Sequence, residues 1–364
     1  MHFWNYSAIK SGIYISEEMR IFFLTSRYLG LEQPITDALH RQGHEVFILL
    51  DKALPSDCYQ KEAVRYPSVR NFILRQYNRI GHVYERYWKK MIQRNEELNL
   101  PFDLFLCING QSFHPYLLDH LRHLNPSIKT CIYIWDTNQY YDFARNLKYF
   151  EKRFSFDYRD CKVYDKLEYL PFYWVNQSND TKIEYDLSLI GTDHDGRFEI
   201  VEKLYPQVKK HLKSFFIKVV IAPRPFYNRS KINRIFHFLL RPRLYQKEMN
   251  TWLYKKSQDF ATTSALPHHE AERIIAQSNC VLDTDRESQC GTTPRLIWAL
   301  ASGKKIVTTN KNITNLPFFE ENQIKIIDRF NPMVDWEFVQ KREKFSISKY
   351  VENLNIDVWV KNFL

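Results

Sequence analysis

Two loops carry residues that are suited to bind an anion, and the first reads QCGTTPR over residues 289–295. Thr293 followed by Pro294 is typical of a helix start, because threonine caps a free N–H group and proline needs none there. Gly303 is typical of the C-terminal end of the same helix. A helix N-terminus presents unpaired backbone N–H groups, so this loop is suited to hold a diphosphate. A well-capped structural helix is an equally good interpretation.

The second loop reads GTDHDGR over residues 191–197 and follows the apolar segment DLSLI. Its glycine, His194 and Arg197 are suited to hold a phosphate from the other side, and the alternative is a surface turn with a solvated arginine. Both loops follow predicted strands of one sheet. Two loops that converge at the carboxyl ends of parallel strands favour a shared ligand site.

Two further groups of side chains have the types, but not the full pattern, of metal ligands. Asp283-x-Asp285 imitates a carboxylate pair that binds Mg²⁺ or Mn²⁺ together with phosphate oxygens. The alternative for Asp283 is a residue at a strand end that bonds the following loop. His268 and His269 are adjacent, so they face different sides of a helix and lack the i, i+4 spacing of zinc ligands. We interpret them as a helix start.

The elements that position these loops alternate along the chain. From Met19, the segments MRIFFLTSRYLG, LEQPITDALHRQGH and EVFILLD predict a strand, a helix and a second strand. A second alternation begins at DLSLIGT and ends at QIKIID. Strands that alternate with helices predict an α/β fold with parallel, doubly wound sheets.

A chain of 364 residues suits two domains. The polar segment WVNQSNDTKIEY is the predicted linker between them. The predicted organisation is an N-terminal extension at 1–18, a first domain at 19–175, a second domain at 176–335 and a helical C-terminal segment at 336–364.

The composition is that of a folded protein with an anionic partner. Hydrophobic residues make up 44% of the chain, and the 26 Phe, 23 Tyr and 8 Trp exceed what a disordered chain carries. The formal net charge is +10. Nucleic acid, acidic lipid headgroups and a phosphorylated small molecule all fit this charge, which does not choose among them.

The cysteines and the apolar segments indicate a cytosolic protein. The six cysteines form no C-x-x-C pair, and Cys107, Cys131 and Cys280 lie in apolar segments, which favours buried thiols in a reducing compartment. No apolar run approaches the ~18 residues that span a bilayer. The polar N-terminus lacks the apolar core of a signal peptide.

Three segments are rich in both basic and aromatic residues: 64–94, 224–247 and 336–363. Such segments are suited to lie on an anionic membrane surface, with aromatic rings in the headgroup layer and Lys and Arg on phosphates. The alternative for each is an amphipathic helix packed on a domain, with solvated charges.

The strings YDLSLIGTDHDGR, SNCVLD and Q-x-G-x-T-x-R followed by ALASGKKIVTTN resemble the donor-binding half of bacterial GT-B glycosyltransferases. Within these enzymes the strings resemble the CgeB-like branch of glycosyl transferases group 1, found among capsule and lipopolysaccharide biosynthesis proteins. The strings IYIWDT and YFEKRFSFDYRDCKVYDKLEYLPF also resemble this branch, so the similarity covers most of the chain from Met19.

The resemblance implies two Rossmann-like doubly wound domains that face a cleft, with a C-terminal helix returning to the first domain. It implies a nucleotide-sugar donor in the second domain and a glycan or lipid-linked glycan acceptor in the first. No cofactor is expected, since the nucleotide-sugar is a substrate, and no metal, since helix ends and basic side chains stabilise the leaving group. The donor-binding residues that it implies are Gly191, Thr192, His194, Arg197, Gln289, Gly291, Thr292, Thr293 and Arg295.

A transfer that inverts the anomeric carbon needs a base near the acceptor hydroxyl, whereas a retaining transfer does not. The candidate catalytic residues are Asp136, after the segment CIYIW, and His114, in the loop after FDLFLCING. The alternatives are a helix cap for Asp136 and a surface loop residue for His114.

One position departs from the family pattern, because Trp298 stands where relatives carry a glutamate that accepts hydrogen bonds from ribose. This motivates an alternative function, a weakly active homologue that acts as a glycan-binding or assembly subunit. Trp298 is also a normal core residue for an apolar helix. A basic nucleic-acid-binding protein is a second alternative, although no recognition motif supports it, and a sugar-nucleotide epimerase shares the fold. The expected location is the cytoplasm, with contact to the inner face of the membrane.

Overall fold

The computed structural model describes residues 17–26, 30–51, 82–138, 142–175, 182–227, 231–287 and 290–364. Within these ranges the chain forms twelve β-strands. They are β1 Arg20–Thr25, β2 Glu45–Leu50, β3 Leu104–Ile108, β4 Lys129–Ile134, β5 Lys152–Ser155, β6 Glu168–Tyr169, β7 Tyr185–Thr192, β8 Phe215–Val220, β9 Ala261–Thr262, β10 Ser278–Asp283, β11 Lys305–Thr308 and β12 Ile324–Ile326.

The same ranges contain thirteen α-helices. They are α1 Glu32–Arg41, α2 His82–Arg94, α3 Pro115–Leu124, α4 Ala144–Leu147, α5 Tyr158–Val163, α6 Arg197–His211, α7 Lys231–Leu240, α8 Pro242–Lys256, α9 His268–Ala276, α10 Pro294–Ala301, α11 Trp336–Gln340, α12 Lys349–Glu352 and α13 Ile356–Trp359.

The strands form two parallel six-stranded sheets, as the alternation of strands and helices predicted. The first has the order β2-β1-β3-β4-β5-β6 and the second the order β12-β11-β10-β7-β8-β9. The strand order reverses between β1 and β3, and again between β7 and β10. Loops that follow the strands on either side of such a reversal diverge and leave a crevice, which is where open α/β sheets bind ligands.

The central strands β1 and β3 of the first sheet are almost wholly apolar, as expected where helices cover both faces of a parallel sheet. The side chains of β3 and of residues 21–25 in β1 are fully buried. The apolar core also continues from one sheet to the other: Trp135 and Phe172 from the first half belong to one cluster with Ile190 and Trp298 from the second. The two halves therefore share a dry interface beside the crevice.

The C-terminal segment packs against the first sheet. The Trp359 ring lies 5.0 Å from that of Tyr133 in β4, and its indole N–H donates to the Pro171 carbonyl at 2.8 Å. We expected one helix here, but the structure has the short helices α11, α12 and α13. The polar residues Asp335, Ser348 and Asn355 each cap a new helix start, which divides the segment.

Two other expectations fall largely outside the described residues. Only residues 17 and 18 of the extension at 1–18 are described, and of the basic aromatic segment at 64–94 only residues 82–94 are described. The three thiols that were expected to be buried, those of Cys107, Cys131 and Cys280, are buried and form no disulfide, and Cys290 is buried as well. In the described part of the chain, no helix combines the length and the apolar character that a membrane span requires.

Candidate active site

A cavity of about 380 Å³ lies between the carboxyl ends of the two sheets. Its walls come from both halves: Ser26 follows β1 and Asp136 follows β4, while Gly191 lies in β7 and Arg295 in α10. The cavity therefore occupies the point where the strand orders of both sheets reverse. The expected site residues that line it are Asp136, Gly191, Thr192, His194, Arg197, Thr292, Thr293 and Arg295.

Arg197 ties the loop after β7 to the end of β10. Its Nε donates to the Thr284 hydroxyl at 2.6 Å, and one terminal nitrogen donates to the Thr284 carbonyl at 2.8 Å. The other terminal nitrogen donates to the Thr192 carbonyl and lies 3.2 Å from Nε2 of His194. Because these bonds use most of its donors, Arg197 fixes the shape of the cavity wall more than it offers charge to a ligand.

His194 is a neutral member of this wall. Burial lowers the pKa of its imidazole to about 2, and the charges of Arg197, Arg286 and Arg295 act in the same direction. The sequence suggested that His194 holds a phosphate, but a neutral imidazole contributes polarity and no positive charge. The arginine charges that add to the effect of burial are favourable for an anion.

The helix start at Thr293 has the predicted form. The Thr293 hydroxyl accepts a bond from the Leu296 N–H at 3.3 Å, and Pro294 occupies the first helical position. Gly303 follows the helix with a φ of +61°. The same threonine donates to the buried carboxylate of Asp283 at 2.6 Å. The end of β10 and the start of α10 are thus bonded to each other at the edge of the cavity.

Arg295 is also largely occupied by protein acceptors. It lies 2.9 Å from Asp283 and donates to the carbonyls of Ile190 at 2.8 Å and Thr284 at 3.1 Å. A Cβ atom at Gly191 would lie 2.5 Å from its Nη1. A side chain at 191 would therefore displace the Arg295 guanidinium from its place beside β7.

The loop before α10 is seated on the first half of the molecule. The Cys290 N–H donates to the Asp157 carboxylate at 2.7 Å. A Cβ atom at Gly291 would lie 2.5 Å from both Cδ2 and the carbonyl oxygen of Phe156. Gly291 thus permits close approach of the first half's backbone, whereas the sequence suggested approach of a ligand. Gln289 lies outside the described residues.

Arg286 is the cation that the sequence analysis missed. It lines the cavity and pairs with Asp195 at 3.2 Å, and the Asp195 side chain is 46% exposed. Its charge lowers the pKa of both His194 and Asp136, so it lies between the two halves of the site. The sequence could have indicated it, because Arg286 lies three residues after the last residue of β10, at the same edge of the sheet as Arg295.

Asp136 lies on the first half's wall of the cavity. Its carboxylate accepts a bond from the Asn109 amide at 2.8 Å. Burial raises the pKa of this carboxyl above its usual value, and the Arg286 charge and the Asn109 bond offset part of that rise. A half-buried carboxylate with a raised pKa has the properties of a general base.

The structure does not bring His114 to the cavity. Its Nδ1 accepts a bond from the Tyr116 N–H at 3.2 Å, so the side chain caps the start of α3. Pro115 at the first helical position makes this cap the natural one, since the proline cannot donate. His114 is therefore a structural residue, and the expectation that it sits near a reacting hydroxyl is corrected.

Trp298 forms part of the cavity wall and of the interface between the halves. Its indole N–H donates to the Tyr173 carbonyl at 3.1 Å, and its ring meets the edge of His268 at 4.6 Å. Only 8% of the residue is exposed. It packs as a core residue and cannot accept a hydrogen bond from a ligand through its indole N–H.

The carboxylates of the Asp283-x-Asp285 sequence are both paired with arginines. Asp283 contacts Arg295, and Asp285 lies 2.6 Å from Arg329. Thr309 also donates to Asp285 at 2.5 Å. In the ranges that the structure describes, no three His, Cys, Asp or Glu side chains are arranged to hold a metal ion.

Comparison with known proteins places the fold. No family model matches the sequence, and no curated protein matches it. Among solved structures, an α,α-trehalose-phosphate synthase (UDP-forming) from Burkholderia vietnamiensis is 12% identical with a TM-score of 0.50 over 95% of this chain and 96% of that one. Arabidopsis thaliana UGT89C1 complexed with UDP is 10% identical with a TM-score of 0.44 over 94% and 93%.

These identities support statements about architecture alone. The match to the trehalose-phosphate synthase covers nearly the whole of both chains, and the two parallel sheets here place their carboxyl ends on one shared cavity. The chain has the α/β GT-B fold, with two Rossmann-like doubly wound halves that face a cleft.

Proposed function

We propose that this chain is a GT-B glycosyltransferase that moves a sugar from a nucleotide-sugar to an acceptor hydroxyl. The observation that carries the proposal is the cavity at the strand reversals of both sheets, where three arginines face one carboxylate. The charged residues that line it are Arg197, Arg286, Arg295 and Asp136. Such a site attracts a dianionic diphosphate and leaves one group able to accept a proton.

The donor diphosphate would lie against Arg286 and the start of α10. Arg286 pairs with Asp195, whose side chain is partly exposed, whereas Arg295 pairs with the buried Asp283, so a phosphate can compete more easily for Arg286 than for Arg295. The α10 N-terminus adds partial positive charge. Together they stabilise the negative charge that develops on the departing nucleoside diphosphate.

Asp136 would act as the base of an inverting transfer. The acceptor oxygen forms a bond to the anomeric carbon, the bond from that carbon to the diphosphate breaks, and the hydroxyl proton passes to the Asp136 carboxylate. A retaining transfer in the same cavity would leave Asp136 with a positioning role. We propose that no metal takes part, because arginines already meet the nearby carboxylates Asp283 and Asp285.

The acceptor that we propose is a glycan or lipid-linked glycan of capsule or lipopolysaccharide biosynthesis. The resemblance of the strings at 185–197 and 289–310 to that branch supports this part. A cytoplasmic protein in contact with the inner membrane face would suit a lipid-linked acceptor.

One observation favours a second candidate, a catalytically weak homologue that binds glycans or acts in assembly. A ribose hydroxyl at this position would need a hydrogen-bond acceptor. Trp298 has only its indole N–H donor, which is already bonded to the Tyr173 carbonyl. Donor binding without turnover, in the presence of any acceptor, would select this candidate.

A thermal-shift screen against UDP, GDP, CMP and their common sugars, with and without Mg²⁺, tests the proposal. A ligand that binds the folded state raises its Tm. We expect stabilisation by one nucleoside diphosphate, equal with and without Mg²⁺, and its loss in Arg286→Ala. The exposed Arg122 on α3 gives the matched control Arg122→Ala, which should respond as the unchanged protein does. No response to any nucleotide would contradict the proposal.

A further inference from the structure

Helices α7 and α8 form a hairpin between β8 and β9 that leaves large apolar side chains in solvent. Phe236 is 57% exposed, Leu239 64% and Leu240 74%. No residue of α8 is buried. A face of this size that the described part of the chain leaves exposed marks an interaction surface in a folded protein. The hairpin surface consists of Ile235, Phe236, Phe238, Leu239, Leu240 and Leu244.

Three of these side chains share one side of α7. Phe236, Leu239 and Leu240 stand at the i, i+3, i+4 spacing that places residues on one side of a helix. Leu244 extends the face across the turn into α8. The apolar face is therefore at the tip of the hairpin, where the two helices meet.

The charge around this face is almost entirely positive. Residues 231–256 contain seven Lys or Arg and one Glu. Arg241 lies in the turn beside Leu240, Arg243 lies beside Leu244 in the first turn of α8, and Lys247 follows one helical turn later; all three are exposed. An apolar tip with a basic border matches the chemistry of a bilayer interface, where acyl chains lie below anionic headgroups.

The other basic aromatic segments do not offer such a face in their described parts. In the C-terminal segment, Trp359 and Phe363 are fully buried against the first sheet. In α2, Trp88 is fully buried and its indole N–H donates to the Ser112 carbonyl at 2.7 Å. Among the described parts of the three segments, the hairpin is thus the one that presents such a face.

The base of the hairpin is fixed to the wall of the cleft. The Trp252 indole N–H donates to the Ala222 carbonyl at 2.8 Å, and Lys255 pairs with Asp193 at 2.8 Å. The Phe226 and Tyr245 rings stack at 4.4 Å. Asp193 directly precedes His194, which lines the cavity. The hairpin is therefore joined to the cavity loop through the Lys255–Asp193 ion pair.

We propose that the hairpin surface docks the protein on an anionic lipid bilayer. The apolar tip enters the headgroup layer, and the basic border meets lipid phosphates. We choose a bilayer over a second copy of this chain as the partner. The border contains few acidic side chains, so two copies that met through this face would bring positive charges together. The proposal stands independently of the glycosyltransferase assignment.

Vesicle co-sedimentation of the full chain tests this proposal. The probes are vesicles of phosphatidylcholine alone and of equal parts phosphatidylcholine and phosphatidylglycerol, without any nucleotide. We expect binding to the anionic vesicles that weakens as salt increases. Phe236→Ser with Leu240→Ser should weaken it at least about tenfold, since each side chain loses its burial in the membrane. Arg243→Gln with Lys247→Gln should also weaken it, through charge alone.

The matched control is Phe330→Ser with Met333→Ser, because these two side chains are exposed to a similar degree on another surface. This variant should bind vesicles as the unchanged protein does. Sedimentation velocity without lipid completes the test. Equal binding to neutral vesicles, no binding to anionic ones, or a dimer that dissociates in the Phe236→Ser, Leu240→Ser variant would each overturn the proposal.

Discussion

The guanidinium of Arg295 lies 2.9 Å from the carboxylate of Asp283, and both groups are buried at the edge of the cavity. Asp283 also accepts bonds from the hydroxyls of Thr293 and Thr308. This cluster joins β10, β11 and α10. Arg295, which the sequence predicted to bind phosphate, thus has a buried structural partner of opposite charge. A variant of Arg295 therefore changes both the stability of the protein and its ligand binding.

Arg295→Ala should destabilise the protein as well as weaken ligand binding. It leaves the buried Asp283 carboxylate without its counter-charge, and losing one partner of a buried pair costs about 3–5 kcal/mol. Equilibrium unfolding in urea measures the change in the free energy of unfolding. Arg286→Ala is the comparison, and because its partner Asp195 is partly exposed it should change stability by less than about 1 kcal/mol. Equal stability of the two variants would show that the Asp283 pair is not structural.

Asp136→Asn should lower turnover about 100-fold or more while it raises the Tm. The amide cannot accept a proton, and general-base catalysis contributes a factor of about this size.

The rise in Tm follows from the pKa of Asp136, which burial raises in the folded state. At pH values between the ordinary and the raised pKa, the folded protein holds this proton whereas the unfolded chain has released it. Stability is therefore lost as pH rises from the ordinary aspartate pKa through the raised one, and the amide removes this cost at neutral pH.

The pH profile of turnover gives the second readout for Asp136. Activity should fall as pH decreases through the raised pKa, which lies above the ordinary aspartate range. The acid limb should disappear in whatever activity Asp136→Asn retains. Unchanged turnover in this variant would exclude Asp136 as the base and favour a retaining transfer.

Gly291→Ala should move the loop before α10 away from the first half. The new methyl would lie 2.5 Å from Phe156, including its carbonyl oxygen, which the backbone cannot easily withdraw. Overpacking of this kind costs about 1–3 kcal/mol. We expect a lower Tm and weaker nucleotide binding together, because the bond from Cys290 to Asp157 must lengthen. Ser302→Ala, at the other end of α10, is the control. Normal nucleotide binding in Gly291→Ala would mean that the loop's seat on the first half does not shape the site.

Trp298→Phe should leave nucleotide binding nearly unchanged and lower stability by about 1–3 kcal/mol, since the bond to the Tyr173 carbonyl is lost and the smaller ring leaves a gap. Trp298→Glu, which restores the residue type of the resembled family, should be more destabilising because it buries a carboxylate. Thermal unfolding and nucleotide titration check both. A gain in affinity from the glutamate without loss of stability would show that the tryptophan replaced a ribose contact.

The sequence was sufficient for the architecture because the relevant signals are local. Apolar runs of strand length alternate with amphipathic helices, and Thr293, Pro294 and Gly303 mark the two ends of α10 within ten residues. Two parallel doubly wound sheets follow from these patterns. The expectation of one helix in the C-terminal segment was wrong. Ser348 and Asn355 cap new helix starts inside a stretch whose periodicity alone indicates a continuous helix.

The sequence was insufficient for the roles of individual site residues because their partners are distant along the chain. Arg197 bonds to Thr284, and nothing near Arg197 indicates that its donors are occupied. Gly291 meets Phe156, a contact that only the folded chain brings together. Arg286 belongs to no motif, and it emerges as the cation best placed for a ligand only once the partners of the other two arginines are known.

Calorimetric titration of the unchanged protein and of Arg286→Ala with the nucleoside diphosphate selected by the thermal screen tests the central claim most directly. The account predicts one binding site per chain in the unchanged protein, equal affinity with and without Mg²⁺, and at least about tenfold weaker binding in Arg286→Ala, as expected for loss of a charge-assisted hydrogen bond. The variant's Tm without ligand should be the same. Binding that is absent, that depends on Mg²⁺, or that survives the loss of Arg286 would contradict the account.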